Sequence, residues 1–366
     1  YQTAKYVANK LQGMGLEPEV GIAGTGLRVF IKGQNPDTKT IALRADMDAL
    51  PIVEANEVEY RSQNEGVMHA CGHDVHTASL LGTAQILHQL RDHFEGTIQL
   101  IFQPGEEKIP GGASLMIKEG VLEAKESLKA PNGILGQHVM PFLPVGQVGF
   151  RSGQYMASAD EIYVTVQGKG GHAALPHRCI DPVLISAHLI VALQQIISRK
   201  SDPIMPSVLS FGKIIAEGAT NVIPNEVKIA GTFRTFDEEW RKEAHQEMKK
   251  IAKGLVEGMG GKVDFDIQVG YPHLNNDPEL TQRARQAAEN FLGVNQVVDL
   301  DLWMAAEDFA FYSQHMDACF YRLGTRNEDK GIISSVHTPT FDIDEDAMEI
   351  GVGLMSWLAL SELNIA

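Results

Sequence analysis

The sequence predicts an α/β protein: a largely parallel sheet with helices on both faces, interrupted by an inserted ferredoxin-like sandwich of order βαββαβ. Three observations predict it. Short apolar runs alternate with helical patterns through the first third of the chain. The middle changes to strict in-out alternation, with two helices set among four strands. The chain has 366 residues, of which 44% are hydrophobic, enough to bury more than one core.

The elements follow in order. Ala4, Val7, Leu11 and Met14 recur at helical spacing and Gly15 ends the pattern. Residues 40–44 read as a short buried strand, followed by a loop at 45–51. From 74 to 90 the apolar positions are helical; 97–102 is a second strand and 133–136 a weaker third. In such sheets ligands gather at the carboxyl ends of strands. Asp46 and Asp48 follow the first strand, Glu106 and Glu107 the second, and His138 the third.

The insert is assigned to 157–269. Residues 161–166 alternate, with Ile162, Val164 and Val166 on one face. Asp181 and Pro182 form an N-cap and first helical position for a helix over 183–197. Strands follow at 207–215 and 227–236. Asp237 opens a charged amphipathic helix to about 257, and 262–269 alternates again. Pro272, Asn275, Asn276 and Pro278 mark the return to the first domain, assigned to 1–156 and 270–366. That domain resumes with helices at 279–292 and 344–361 and a strand at 319–323.

A net charge of −16 argues against nucleic acid or anionic membrane as partner, while leaving room for a small anionic substrate. The most apolar stretch, 183–197, is broken by Ser186, His188, Gln194 and Gln195, so no membrane span is expected. Cys71, Cys179 and Cys319 are too few and too odd in number for a disulfide framework, which points to a reducing cytoplasm. The chain starts inside a helical pattern, so its first residues say nothing about a leader. An exposed sheet edge or helix pair on the insert offers a surface for a homodimer.

Two segments carry the chemistry. Met68-His-Ala-Cys-Gly-His-Asp-Val-His76 packs a thiol among imidazoles, and Gly72 permits the turn that lets Cys71 and His73 reach one ion. The helix that starts near Asp74 favours the thiolate. Phe102-Gln-Pro-Gly-Glu-Glu107 places two carboxylates past a strand. Chain neighbours point apart, so one can ligate a metal while the other faces substrate. Soft, intermediate and hard donors plus a spare carboxylate suit a divalent-metal hydrolase centre. The plainer alternatives are a buried thiol with surface histidines, a solvated acidic loop, and aspartates that cap the 45–51 loop. His138, His172 and His337 are weak signals taken singly, and His69, His76 and His177 read as supporting or structural.

Together with Arg44-Ala-Asp-Met-Asp-Ala-Leu-Pro51, Gly168-Lys-Gly-Gly-His-Ala-Ala-Leu-Pro-His177 and Glu307-Asp-Phe-Ala310, these motifs resemble the amidohydrolase branch of the aminoacylase–carboxypeptidase metallopeptidases. Hippurate hydrolases, indole-acetyl-amino-acid hydrolases and N-acetyldiaminopimelate deacetylases belong to that branch. The motifs span nearly the whole chain in order. The resemblance implies a dinuclear metallohydrolase domain with a ferredoxin-like satellite. It implies Cys71, His73, Glu107, His138 and His337 as ligands of two divalent ions, Mn2+ or Zn2+. Glu106 is implied as proton acceptor, with Asp48 orienting the site and His172 helping at the oxyanion. Where the wider family begins the loop motif with histidine this chain has Asp46, and Cys71 takes over as ligand. Asn221-Val-Ile-Pro224 and Gly231-Thr-Phe-Arg-Thr235 also match, making Asn221 and Arg234 candidates for a substrate carboxylate. An ordinary strand charge is the alternative for Arg234. The implied reaction is hydrolysis of an N-acyl amino acid, with the satellite closing over the centre or reaching a neighbouring subunit. A dipeptidase or carboxypeptidase of the same chemistry, and a non-catalytic metal-binding protein of the same fold, are the alternatives.

Overall fold

In the computed structural model, which describes residues 1–363, the chain divides into two compact units. The first comprises Tyr1–Tyr155, Asn275–Leu302 and Asp308–Ala366; the second comprises Met156–Leu274 and Trp303–Glu307. Residues 364–366 of the domain assigned to 270–366 lie outside the described residues. The sequence ends the first stretch of the first domain at 156, one residue later than the structure does, and places 270–274 and 303–307 with that domain. The structure moves both to the second unit, where the Ala157 amide donates to the carbonyls of Trp303 and Ala305 at 3.1 Å, and the Ala159 amide to that of Tyr271 at 3.0 Å.

The first unit is built on an eight-stranded sheet. Across it run Glu19–Ile22, Gly26–Lys32, Thr97–Gln103, Thr40–Asp46, Gly133–Pro144, Asp317–Arg326, Val148–Phe150 and Val297–Asp299. The central junctions are parallel. The hairpin that forms one edge, its junction with Thr97–Gln103, and the pairing of Asp317–Arg326 with Val148–Phe150 are antiparallel. Helices Gln2–Gly13, His73–Gln89, Pro278–Leu292 and Asp346–Leu363 contribute Val7, Leu11, Leu80, Leu87, Ala284 and Leu354 to a core shared with Leu43, Leu100 and Leu135. Register brings the functional strand ends level: Asp46 pairs with Gln103, and Arg44 with Gly136. The third strand is longer than its apolar run suggests. Gly133–Pro144 continues past His138, which lies inside the strand opposite Arg322 rather than after it.

The second unit carries a four-stranded antiparallel sheet. Its order is Ser207–Ile215, Glu226–Thr235, Asp160–Gln167, Lys262–Val269, the ferredoxin-like arrangement. Asp181 caps Pro182–Leu193 by accepting from the amides of Val183 and Leu184, and Asp237 caps Glu238–Gly258 through Trp240. Ile185, Leu189, Leu193 and Ile196 pack with Ile162, Val164, Met248 and Val256. Helical structure over Pro182–Lys200 is long and apolar enough, by length and composition, to cross a membrane, which corrects the expectation that no run reaches that length. The interrupting polar residues are too few to lower its hydropathy, and its inner face fills this core.

Candidate metal centre

Three turns of backbone set up the site in the first unit. Gly72 at φ 74° ends the Cys71 loop and starts the helix that carries His73. A Cβ there would lie 2.6 Å from Val139 Cγ2, beside His138, so only glycine lets the two segments close up. Gly112 does the same for the loop bearing Glu106 and Glu107: its amide donates to the Gly105 carbonyl at 2.9 Å, and a Cβ would collide with the Pro104 carbonyl at 1.5 Å. His337 stands at φ 62°, a left-handed conformation uncommon outside glycine, held by its amide's 2.7 Å bond to the Ala70 carbonyl.

These turns bring together every ligand candidate. Cys71, His73 and His138 form one set of donor atoms, Cys71, Glu107 and His337 a second, and His73, Glu106 and Glu107 a third; within each, the atoms lie within 4.8 Å of one another. Cys71 Sγ is 3.5 Å from His138 Nε2, and His337 Nε2 is 3.1 Å from Glu107 Oε1. Such separations suit atoms that each sit about 2.0–2.3 Å from a common ion.

Hydrogen bonds settle which nitrogens face the donors' centre. The Nδ1–H of His138 donates to the Val139 carbonyl at 2.7 Å, leaving the Nε2 lone pair toward Cys71. His73 Nδ1 pairs with Asp48 Oδ1 at 3.2 Å, and its buried Nε2 has no hydrogen-bond partner. An orphaned imidazole nitrogen among a thiol and carboxylates fits a metal ion, which would satisfy it. Asp48 works on both sides, because its Oδ2 accepts the Glu107 amide at 2.9 Å.

Charge agrees with that fit. Burial and the neighbouring Arg322 guanidinium hold His138 well below the usual range, so its ring is neutral and able to ligate. Hydrogen bonding to Cys71 and then Glu107 pushes His337 up to about 10 despite partial burial. For His73, the carboxylates of Asp46 and Asp48 outweigh burial and raise it well above the usual range. The centre therefore attracts cations, and protons fill that role when no metal does.

Asp46, His73 and His76 also lie within ligand distance of one another, yet two of them are fully engaged. Asp46 accepts from His76 Nδ1 at 2.6 Å and Arg44 Nη1 at 2.8 Å. His76 Nε2 accepts the Val139 amide at 2.9 Å. Burial lowers His76, and its two nitrogens describe a neutral ring with the proton on Nδ1. His76 is thus a strut between the end of one strand, at Asp46, and the middle of another, at Val139. Sequence reasoning missed Arg44, Gln103 and Asp308, which pack beside it. Arg44 and Gln103 carried a signal, because a charged or amide side chain inside an apolar strand needs a buried partner; Asp308 lies in a turn.

His172, Asn221 and Arg234 belong to the second unit. Val222 pairs with His172 on adjoining two-residue strands, and the Asn221 carbonyl accepts the Ala173 amide at 3.0 Å. His172 Nδ1 accepts the Ala174 amide at 3.1 Å, so Nε2 is the nitrogen that carries a proton, and the residue is exposed. Arg234 Nη1 donates to the Met304 carbonyl at 3.0 Å, which fixes its guanidinium.

The model of peptidase family M20/M25/M40 matches residues 42–361. A thermostable carboxypeptidase 2 of Saccharolobus solfataricus is 38% identical over 100% of this chain and 91% of its own length. An N-acyl-L-amino acid amidohydrolase of Geobacillus stearothermophilus is 44% identical over 75% of this chain and 73% of its own. Among solved structures, the YXEP protein of Bacillus subtilis, described as a dinuclear metal binding peptidase, superposes with a TM-score of 0.84 at 33% identity, covering 100% of this chain and 93% of that one.

Proposed function

The chain belongs to peptidase family M20/M25/M40 and is a hydrolase, and from that premise we propose that it cleaves the amide bond of N-acyl amino acids at a centre for two divalent ions, manganese or zinc. The observation that carries the reading is the overlap of the donor sets, with Glu106 beside His73 and Glu107. Cys71, His73, His138, Glu107 and His337 would hold the ions, which when bound supply Lewis acidity and a water of lowered pKa. Glu106 takes the proton of the attacking water and returns it to the leaving amine. Asp48 keeps His73 and the Glu107 backbone in place. From the second unit, His172 offers its Nε2–H to the developing oxyanion, while Asn221 and Arg234 bind the free carboxylate.

Cys71, Cys179 and Cys319 are free thiols, which suits a reducing compartment such as the cytoplasm. A homodimer forms through the second unit, where Val183, Leu184 and Val191 are exposed on one helix and Val208, Ile214 and Ile215 on an edge strand.

The test is metal removal by chelator, reconstitution with Mn2+ or Zn2+, and assay against N-acetyl, benzoyl and indole-acetyl amino acids beside dipeptides. Restored hydrolysis of the acyl amino acids is expected. Activity indifferent to chelation sinks the metal reading. Preference for dipeptides or C-terminal residues moves the substrate to the peptidase reading, which the carboxypeptidase relative favours.

A further inference from the structure

Beneath the centre lies a fully buried ionic cluster that the mechanism above does not use. Arg44, Asp46 and Asp308 are each 0% exposed. Arg44 Nη1 donates to Asp46 Oδ2 and Nη2 to Asp308 Oδ1, both at 2.8 Å, and Nε to Gln103 Oε1 at 2.9 Å. Gln103 Nε2 donates to both Asp308 oxygens at 2.8 Å, and the Ala113 amide reaches Asp308 Oδ2 at 2.9 Å. The Asp308 carboxylate thus has donors on both oxygens and no rotational freedom. Its own backbone N–H points at Glu106 Oε1, in a long hydrogen bond of 3.4 Å.

We propose that Asp308 is a positioning residue for Glu106: its clamped backbone aims an N–H at that carboxylate, and Arg44 ties the clamp to the Asp46–His76–Val139 chain that braces His138. A glutamate's terminal torsion is broad, and a donor fixed on one oxygen restricts it. A side-chain donor would itself rotate, whereas a main-chain N–H whose residue is held by its carboxylate cannot. The guanidinium joins Asp308 to Asp46, whose Oδ1 holds His76, whose Nε2 holds the Val139 amide. One buried cation thereby sets the spacing between the proton acceptor and a ligand strand.

This inference rests on Glu106 as proton acceptor, and a double-mutant cycle separates the two. Asp308→Asn, Glu106→Gln and their combination are made in the full chain. kcat, KM, metal content by elemental analysis and melting temperature are read for each. Asp308→Asn alone is expected to lower kcat roughly ten- to a hundredfold, the scale of a small misplacement, with KM and metal content unchanged. Added to Glu106→Gln it should cost nothing further. An equal loss in both backgrounds, or a loss that follows metal content, overturns the positioning role while leaving Glu106 in place. Near wild-type turnover of Glu106→Gln overturns the acceptor reading instead, and this inference with it. Should Asp308→Asn not fold, Gln103→Met, which removes the amide donor to both Asp308 oxygens, goes through the same cycle. Failure of both to fold assigns the cluster to stability alone and ends the proposal.

Discussion

Glu106 and Glu107 are chain neighbours with separate surroundings, and variants at each scale of the site read them apart. Glu107 stands by His337 and takes its backbone position from Asp48, whereas Glu106 is met by the Asp308 amide. Glu106→Gln keeps the shape and removes the proton acceptor, so kcat should fall by about 10²–10⁴ with metal content retained. Loss of metal in that variant would instead make Glu106 a ligand. Gly72→Ala tests the turn. A left-handed alanine costs about 1–2 kcal/mol, and its Cβ would press on Val139 from 2.6 Å. Elemental analysis should show depleted metal, because Cys71, His73 and His138 can no longer converge; full stoichiometry would show that the turn tolerates a side chain. His337 sets the pH dependence. Its pKa in the metal-free protein is raised to about 10, so at neutral pH a proton occupies the nitrogen that must ligate. Metal uptake must expel it, along with the proton that His73, also raised well above its usual range, holds; affinity should rise with pH, by up to about tenfold per unit for each proton released, while pH stays below that value. Calorimetry in buffers of different ionisation enthalpy reads the released proton. Affinity unchanged between about pH 6 and 9 removes His337 from the ligand set.

At the scale of elements, legibility followed how local the signal was. Asp181-Pro182 and Asp237 announced their helices, and both aspartates do accept the amides a cap requires. The four strands of the second unit's main sheet were legible because one face of each is wet, which writes the period into the sequence. The strand Gly133–Pro144 was read short because its run past Gly136 mixes Gln137 and His138 with apolar residues; both polar side chains are buried, where Tyr321 donates to Gln137 Oε1 and His138 joins the centre. The edge hairpin of Glu19–Ile22 and Gly26–Lys32 escaped because its turn lies in Ala23 and Gly24, both at positive φ, without a dipeptide that marks it. Of the site, the side chains whose donor atoms group together stand in motifs that the sequence shows, but the Arg44–Asp308 pairing, 264 positions apart, exists only through the sheet. Elements also carry an acid response. Glu238 accepts from the His273 amide at 3.0 Å and from Arg241 Nη1 at 2.9 Å. Burial opposes its charge, yet His273 and Arg241 outweigh it and hold the carboxyl down to about 2 from 4.5. A depressed acid contributes stability that is whole above about pH 4.5 and is lost as pH falls toward 2. Glu238→Gln should therefore be less stable at pH 7 and lose less on acidification across that window, read as melting temperature against pH. An unchanged acid profile would show that other carboxylates govern it.

At the scale of the molecule, the charge of −16 and the exposed apolar residues of the second unit pull in opposite directions. Like charge disfavours association, so a dimer needs an apolar contact large enough to overcome it. The helix Pro182–Leu193 turns Ile185 and Leu189 into its own core, yet leaves Val183, Leu184 and Val191 at 43%, 53% and 73% exposure. The strand Ser207–Ile215 ends the four-stranded sheet, and an unpaired edge beside apolar side chains is a surface that a second copy can extend. Homodimerisation should accordingly depend on this helix and strand and strengthen with salt, as screening relieves the repulsion of the acidic chains. Sedimentation of the wild type should give a dimer. Val191→Asp should give a monomer with an unchanged fold, since that side chain contributes little to its own core. The same variant separates assembly from chemistry: if His172 serves the centre of a neighbouring subunit, its kcat falls with the dimer, whereas an intact kcat in a monomer places His172 in service of its own chain. A wild type that sediments as a monomer at all salt concentrations removes the dimer altogether.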